Sequence, residues 1–347
     1  MIALERVPLP DEAHDRAFLD VWIQDFGACA LSAADEVGLF GALAEGELSA
    51  PALAARLTLD VAALVATCRA LVAMGALLAT DTGFVLSDSG RALWWKESPC
   101  YRGREFHQHW DWDQHQRIVE ALRVGWAPLL DTEEPFSEAW ARGDVSQESA
   151  QNFTRVMHSL ILAPSLAAVK GGAFSGVTHL VDVGGGSGAL AAALLAHQPA
   201  CRATVMDLAP VCEASKAILA GVESGPKVEY FPANFFADAW PSDADAFSLS
   251  NILHDWPLSR CREILSRAFA ALPAGGRLFV LEALLDAGCC APRMTVLFNL
   301  LMQINHRGQQ FTRQRLFELL VETGFSEPHV VHAYSYWSLV TARKPAS

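Results

Sequence analysis

The sequence predicts an α/β protein: a doubly wound sheet that ends in an antiparallel hairpin, behind a mainly α-helical N-terminal region. Three observations carry that expectation. From Leu180 onward, apolar runs of strand length alternate with runs of helical spacing. The last two apolar runs, His329–His332 and Trp337–Ala342, are joined by Ala333–Tyr336 and read as a hairpin. Before residue 171 helical spacing dominates, with one short hairpin signal.

Residues 1–16 are polar and read as a loose arm. From Phe18 to Leu43 apolar residues recur at helical spacing, among them Val21, Trp22, Phe26, Leu31, Val37 and Phe40. Ser49 and Asp60 are placed to cap two helices, Ala52–Leu57 and Val61–Met74. Pro51 stands in the first turn of the former, and Gly75 stops the latter. Ala76–Leu86 reads as a hairpin around Asp81-Thr82-Gly83, and Ser87 opens a short segment to Trp95. Helices followed by a small hairpin suggest a winged helix. A helix that reads DNA needs polar or basic side chains on its outer face. Val61–Met74 carries one basic residue, Arg69. The region is therefore expected to serve dimerisation and to act as a lid, not to bind nucleic acid.

Residues 96–101 read as a linker, and Arg104–Val124 as an interdomain helix dense in aromatic and polar groups. Trp110 on it is expected either in the core or against a substrate. Residues 126–149 read as loop-rich. Ser149–Val169 is helical, with Phe153, Met157, Leu160 and Ile161 on one face, His158 beside them, and Pro164 as a kink or junction. The expected organisation is 1–100 for the winged-helix-like domain, 101–170 for a helical linker and lid, and 171–347 for the catalytic domain.

In that last part, strand Leu180–Val183 runs into Gly184-Gly185-Gly186-Ser187-Gly188 and then into helix Ala189–Ala196. Strand Ala203–Met206 precedes helix Val211–Gly221, and strand Val228–Phe231 precedes the turn Asn234-Phe235-Phe236. Strand Ala246–Leu249 precedes His254 and a helix through Ala271. Strand Arg277–Glu282 follows the turn at 273–276, and helices Met294–Met302 and Thr312–Thr323 come next. The glycines allow a tight turn and a close approach by a ligand. Gly184-x-Gly186-x-x-Ala189 satisfies the loose dinucleotide fingerprint. Asp182, however, stands two places before the first glycine. A carboxylate there repels a pyrophosphate and attracts the ammonium of an amino-acid-tailed nucleoside. The second strand ends in Asp207, which can accept both ribose hydroxyls. The pair favours S-adenosylmethionine over NAD.

Across 347 residues two domains fit, and 52% hydrophobic with 19% charged residues suffices for packed cores. The net charge of −13 argues against nucleic acid and anionic membranes as main partners. No apolar run reaches membrane-spanning length, and the N-terminus lacks the apolar core of a signal peptide. Eight cysteines without CxxC spacing fit free thiols in a reducing cytoplasm.

Three motifs together carry a resemblance: Asp182-Val-Gly-Gly-Gly-Ser-Gly188, Asp207-Leu208-Ala209-Pro210, and Asn251-Ile-Leu-His254-Asp255-Trp256-Pro257. Over nearly its whole length the chain resembles the small-molecule O-methyltransferases of the caffeic acid and N-acetylserotonin type and their bacterial natural-product relatives. The resemblance implies a Rossmann-like class I methyltransferase sheet with a terminal antiparallel hairpin, a winged-helix dimerisation domain and a homodimer. It implies that Asp182, Gly184, Gly186, Asp207 and Leu208 hold S-adenosylmethionine. Asn234 and Phe235 would lie by the adenine, and Ser250 and Trp256 near the nucleoside. His254 matches the family's general base, and Glu282 one of its supporting glutamates.

The chain departs from the family pattern where a second glutamate is usual. There it reads Gly308-Gln309-Gln310-Phe311-Thr312, and His306 stands just upstream. Gln310 is no orienting carboxylate. His254, Asp255 and His306 make a two-histidine, one-carboxylate set suited to iron or zinc. The set, with the same separation to the second histidine, resembles a small bacterial subgroup of metal-dependent α-keto acid C-methyltransferases. These methylate the β-carbon of phenylpyruvate or 4-methyl-2-oxovalerate through a metal-chelated enolate, for nonribosomal peptides. Trp110 and Phe298 match residues that line the subgroup's substrate pocket, and Phe153 and Met157 are expected beside them. Arg104, Arg117, Arg123 and Arg142 are candidates for the substrate carboxylate. The alternative is a metal-independent O-methyltransferase acting on a phenol or another hydroxylated small molecule, with His254 as base.

Overall fold

The computed structural model describes residues 1–106, 112–126 and 136–346. The chain forms two compact units, both discontinuous in sequence. The first comprises residues 1–16, 137–284 and 313–347, and the second 17–136 and 285–312.

The first unit is built on a mixed sheet. In chain order its strands are β3 (His179–Val183), β4 (Arg202–Asp207), β5 (Glu229–Pro232), β6 (Ala246–Ser250), β7 (Arg277–Ala283), β8 (Ser326–Tyr334) and β9 (Trp337–Arg343). They lie in the order β5-β4-β3-β6-β7-β9-β8. The first five are parallel, and β9 runs antiparallel between β7 and β8. This is the expected doubly wound sheet with its terminal hairpin. The order reverses at β3, so β3 sits centrally with β4 on one side and β6 on the other. Ligands of such sheets bind beyond the strand ends at that switch point. β3 is buried along its whole length, as a strand covered on both faces must be. The helix after it, Ala189–His197, is likewise buried from Ala189 to Leu195.

Two local expectations change here. Residues 1–16 are not a loose arm. Ile2 bridges to Val222, Leu4 is buried, and His332 Nε2 lies 2.9 Å from Glu12 Oε2. The arm's few apolar residues and Glu12, rather than its average polarity, decide its placement. The helix expected over Ser149–Val169 is present and runs from Gln147 to Lys170, with Ser146 as cap and Pro164 inside it. Within residues 126–149, expected to be loop, a helix spans Phe136–Arg142.

In the second unit the single helical run expected over Phe18–Leu43 is divided. The helices are Glu12–Trp22, whose first turn belongs to the first unit, Gln24–Glu36 and Leu39–Ala42. Gly38, at φ 79°, separates the last two in a conformation that glycine adopts without a Cβ penalty. Ser49 and Asp60 cap their helices as expected, accepting from Ala52 N and Ala63 N. β1 (Leu77–Ala79) and β2 (Phe84–Leu86) form the small hairpin. The helix expected over Arg104–Val124 is regular only over Asp113–Val124. Helix Arg293–His306 packs in this unit rather than with the sheet. Helix Val61–Ala73 is buried along one side, from Ala63 to Leu71. Among the described residues no single helix is long and apolar enough to cross a membrane.

Candidate active site

The glycine turn leaves β3 with three left-handed residues, Gly184 at φ 63°, Gly186 at 54° and Gly188 at 71°. A Cβ on Gly184 would run into the Ile252 side chain, and one on Gly188 would lie 2.9 Å from both Leu219 Cδ1 and Ser215 Oγ. The first glycine therefore lets the turn pass under the β6 loop, and the last lets it enter the following helix. The Gly186 N–H donates to Asp207 Oδ2 at 2.9 Å, and the Leu208 N–H donates to Oδ1 at 2.7 Å. This ties the turn to the end of β4. The Ser248 hydroxyl donates to Asp182 Oδ1 at 2.6 Å from the neighbouring strand.

Both carboxylates are buried, Asp182 at 1% and Asp207 at 6% exposure. Among the described residues no lysine, arginine or histidine pairs with either. Burial pushes Asp182 up to about 7, against the Ser248 hydroxyl, with Asp207 adding repulsion. Burial pushes Asp207 up to about 6, offset in part by its two backbone N–H donors. Two buried carboxylates without a cation fit a ligand that brings an ammonium and hydroxyl donors. Ser250 Oγ, buried and without a partner among the described residues, adds an open polar atom one strand away. The residues present thus fit S-adenosylmethionine.

The remaining nucleoside-side residues are placed less simply. Both ends of the Asn234 amide are committed: Nδ2 donates to the Ala141 carbonyl on helix Phe136–Arg142 at 2.6 Å, and Oδ1 accepts from Phe236 N in its own turn at 2.9 Å. Phe235 is half-buried, tilted against Phe236 and edge-on to Trp256. Trp256 is buried and also meets Phe236 edge-on at 4.7 Å.

The acceptor side centres on a short 3-10 turn, Leu253–Asp255, after β6. Glu282, fully buried on β7, lies 2.8 Å from His254 Nδ1, and it also accepts the His254 backbone N–H at 3.3 Å. Asp255 Oδ1 lies 3.5 Å from His254 Nε2. Adjacent side chains converge here because the turn is tighter than an α-helix. Burial works to push the ring down, but the Glu282 and Asp255 carboxylates outweigh it and raise His254 to about 9.

In the second unit His306 closes helix Arg293–His306. Phe298 on that helix is buried, edge-on to Trp22 at 5.9 Å. Gln310 is buried, with its backbone N–H donating to Asn299 Oδ1 at 2.8 Å. Among the described residues no three His, Cys, Asp or Glu side chains come together as a group able to hold a metal ion. Of the expected set, the structure brings together His254 and Asp255, the two that share one turn. Phe153 and Met157 lie on helix Gln147–Lys170 of the first unit, Phe153 tilted against Trp140 at 5.1 Å. Trp110 lies outside the described residues. Of the candidate arginines, Arg123 is committed to Glu36 at 2.9 Å, and Arg104 lies over the Tyr101 ring.

Residues 131–326 match the family model described as the O-methyltransferase domain. The chain belongs to that family. Among curated relatives, it is 32% identical to the 3-hydroxy-5-methyl-1-naphthoate 3-O-methyltransferase of Streptomyces sahachiroi, over 87% of this chain and 86% of that one. It is also 32% identical to the acetylserotonin O-methyltransferase of Bos taurus, over 70% of this chain and 69% of that one. Among solved structures, an O-methyltransferase family 2 protein from Planctomyces limnophilus, in complex with apigenin, superposes with a TM-score of 0.80. That likeness covers 99% of each chain at 22% identity and shows the fold. The family member described here is an S-adenosylmethionine-dependent methyltransferase.

Sequence reasoning missed two groups in this site. Ser248 faces Asp182 only because β3 and β6 pair in one register, with Asp182 opposite Ser248. His158, noted only as a neighbour on its helix, places Nδ1 3.0 Å from Ser187 Oγ in the glycine turn. Its spacing held no signal, since the contact joins residues 29 positions apart.

Proposed function

We propose that this methyltransferase C-methylates the β-carbon of an α-keto acid of the phenylpyruvate or 4-methyl-2-oxovalerate type in natural-product assembly. The carrying observation is the His254–Asp255 turn, with imidazole Nε2 and a carboxylate oxygen 3.5 Å apart. In this reading the Asp255 carboxylate beside Nε2 is a second ligand to a cation and not a mere neighbour of a base. A His and a carboxylate presented side by side are two donors of the set that suits iron or zinc. In this proposal His306 is the third. A cation held by these groups supplies Lewis acidity that makes the proton on the carbon next to a keto group acidic.

The chain's own residues do the rest. The Glu282 carboxylate faces Nδ1 of His254 at 2.8 Å, which orients the ring and leaves Nε2 for the ligand side. Asp207 accepts the ribose hydroxyls and Asp182 faces the ammonium, with Gly184, Gly186 and Leu208 shaping the turn beneath. Phe235 and Trp256 cover the adenine and nucleoside, Asn234 holds their loop, and Ser250 donates from the strand end. Trp110, Phe153, Met157 and Phe298 line the substrate's side chain. Alignment of donor carbon and acceptor carbon is then the main gain. We further assign a homodimer through residues 18–95, because Phe18, Val21 and Trp22 are 70%, 74% and 42% exposed. Sedimentation at micromolar concentration tests it, and a monomer overturns it.

A second reading is favoured by the relatives, which are named O-methyltransferases. In it His254, oriented by Glu282, takes a proton from a hydroxyl. Turnover with labelled S-adenosylmethionine separates the two. The proposal expects label on the β-carbon of phenylpyruvate or 4-methyl-2-oxovalerate, lost on chelation and restored by iron or zinc. Chelator-insensitive methylation of a phenol, with both keto acids untouched, overturns it.

A further inference from the structure

His158 and Ser187 have no part in the reaction as described, yet they meet at the glycine turn. Ser187 is 2% exposed, and its hydroxyl lies 3.0 Å from His158 Nδ1. Burial holds the His158 ring below the usual imidazole range, so at neutral pH it is uncharged. A neutral ring accepts at one nitrogen and donates at the other. When the serine hydroxyl donates to Nδ1, the proton of the ring sits on Nε2. Among the described residues nothing else bonds to His158.

The position of the turn says what Nε2–H can meet. A Cβ on Gly185 would lie 2.8 Å from Asp182 Oδ2, so the turn passes directly over the carboxylate that attracts the ligand's ammonium. Ser187 follows two residues later. In an amino-acid tail the carboxylate is bonded to the carbon that bears the ammonium. An ammonium at Asp182 therefore carries its carboxylate to the same turn. That carboxylate needs a donor, and Asp182 and Asp207 would repel it. We propose that His158 is a binding residue for the carboxylate of the S-adenosylmethionine tail, and that Ser187 is the positioning residue that fixes its tautomer and ring plane.

Calorimetry on the full chain tests this with three ligands: S-adenosylhomocysteine, decarboxylated S-adenosylmethionine and 5′-methylthioadenosine. The last two lack the carboxylate. His158→Ala should weaken S-adenosylhomocysteine roughly ten- to a hundredfold, the span of one lost hydrogen bond to a charged group. It should leave the two carboxylate-free ligands within about twofold of the wild type. Ser187→Ala should weaken S-adenosylhomocysteine alone, by a smaller factor. His158→Gln, which keeps an N–H donor of similar reach, should recover part of the loss, and it serves as the test if His158→Ala does not fold. Equal weakening of all three ligands would make His158 a structural residue only and overturn the proposal. So would an unchanged affinity for S-adenosylhomocysteine. Neither outcome touches the assignment of the methyl acceptor.

Discussion

At the ends of β3 and β4, Asp182 and Asp207 are buried carboxylates held, among the described residues, by neutral donors: a serine hydroxyl and two backbone N–H groups. At the end of β7, Glu282 is equally buried but faces an imidazole 2.8 Å away. The consequences are opposite. The first pair is pushed up to about 7 and about 6. In the second pair the histidine is raised to about 9. In the proposed binding mode the nucleoside end is electrostatically incomplete and is finished by its ligand. The acceptor end is finished by the fold itself. Under the proposed assignment, the site holds its cofactor through under-compensation while keeping the His254 imidazole in one orientation.

The sharpest way to break this contrast is to remove Glu282. Glu282→Ala leaves His254 buried without its partner, and it should cost about 3–5 kcal/mol of stability in denaturant titration. A loss under about 1 kcal/mol would mean that the acceptor end is not self-compensated. His306→Ala should lose at least about a hundredfold in metal affinity, the top of the range for a lost supporting contact. It should lose β-methylation with it, and bind S-adenosylhomocysteine as the wild type does. Metal analysis with calorimetry reads both. A metal-free wild type removes the role given to His306.

Asp207→Ala attacks the under-compensated end. It should weaken S-adenosylhomocysteine by about 1.5–3 kcal/mol, and calorimetry showing unchanged affinity would remove the ribose assignment. The same end predicts a pH dependence with two signs. Raised carboxylates stabilise the fold most at low pH, and the free protein loses that contribution as pH rises from the ordinary carboxylate range through about 6 and about 7. Ligand affinity runs the other way, because the ionised forms accept hydroxyls more strongly and attract an ammonium. Affinity should be full above about 7 and fall as pH drops through about 6. Affinity flat from about pH 5 to 8 would contradict the pair's role. The smallest effect belongs to Ser248→Ala. Losing that donor should cost about 1 kcal/mol of carboxylate stabilisation. The midpoint of the affinity profile should then move up by less than about one unit.

Much of this architecture is legible in the sequence. The order of strands and helices follows from apolar periodicity, since a strand buried on both faces has to be a continuous apolar run such as Leu180–Val183. The caps at Ser49 and Asp60 follow from local chemistry, and so do the glycines of the turn, because each answers to its immediate neighbours. Asp182 and Asp207 are legible because the end of a strand is a fixed place relative to the turn beside it. What the sequence does not decide depends on pairs far apart along the chain. Ser248 reaches Asp182 through strand register, and His158 reaches Ser187 from another helix. The N-terminal arm departs from expectation for the same reason: average polarity describes a segment, whereas Ile2 and Glu12 act singly on Val222 and His332, far along the chain. Sequence alone determined the fold class and the glycine turn, which are local and repetitive. Tertiary structure alone decided which buried charge is compensated and by what, because that depends on distances of a few ångströms between elements the chain does not place side by side.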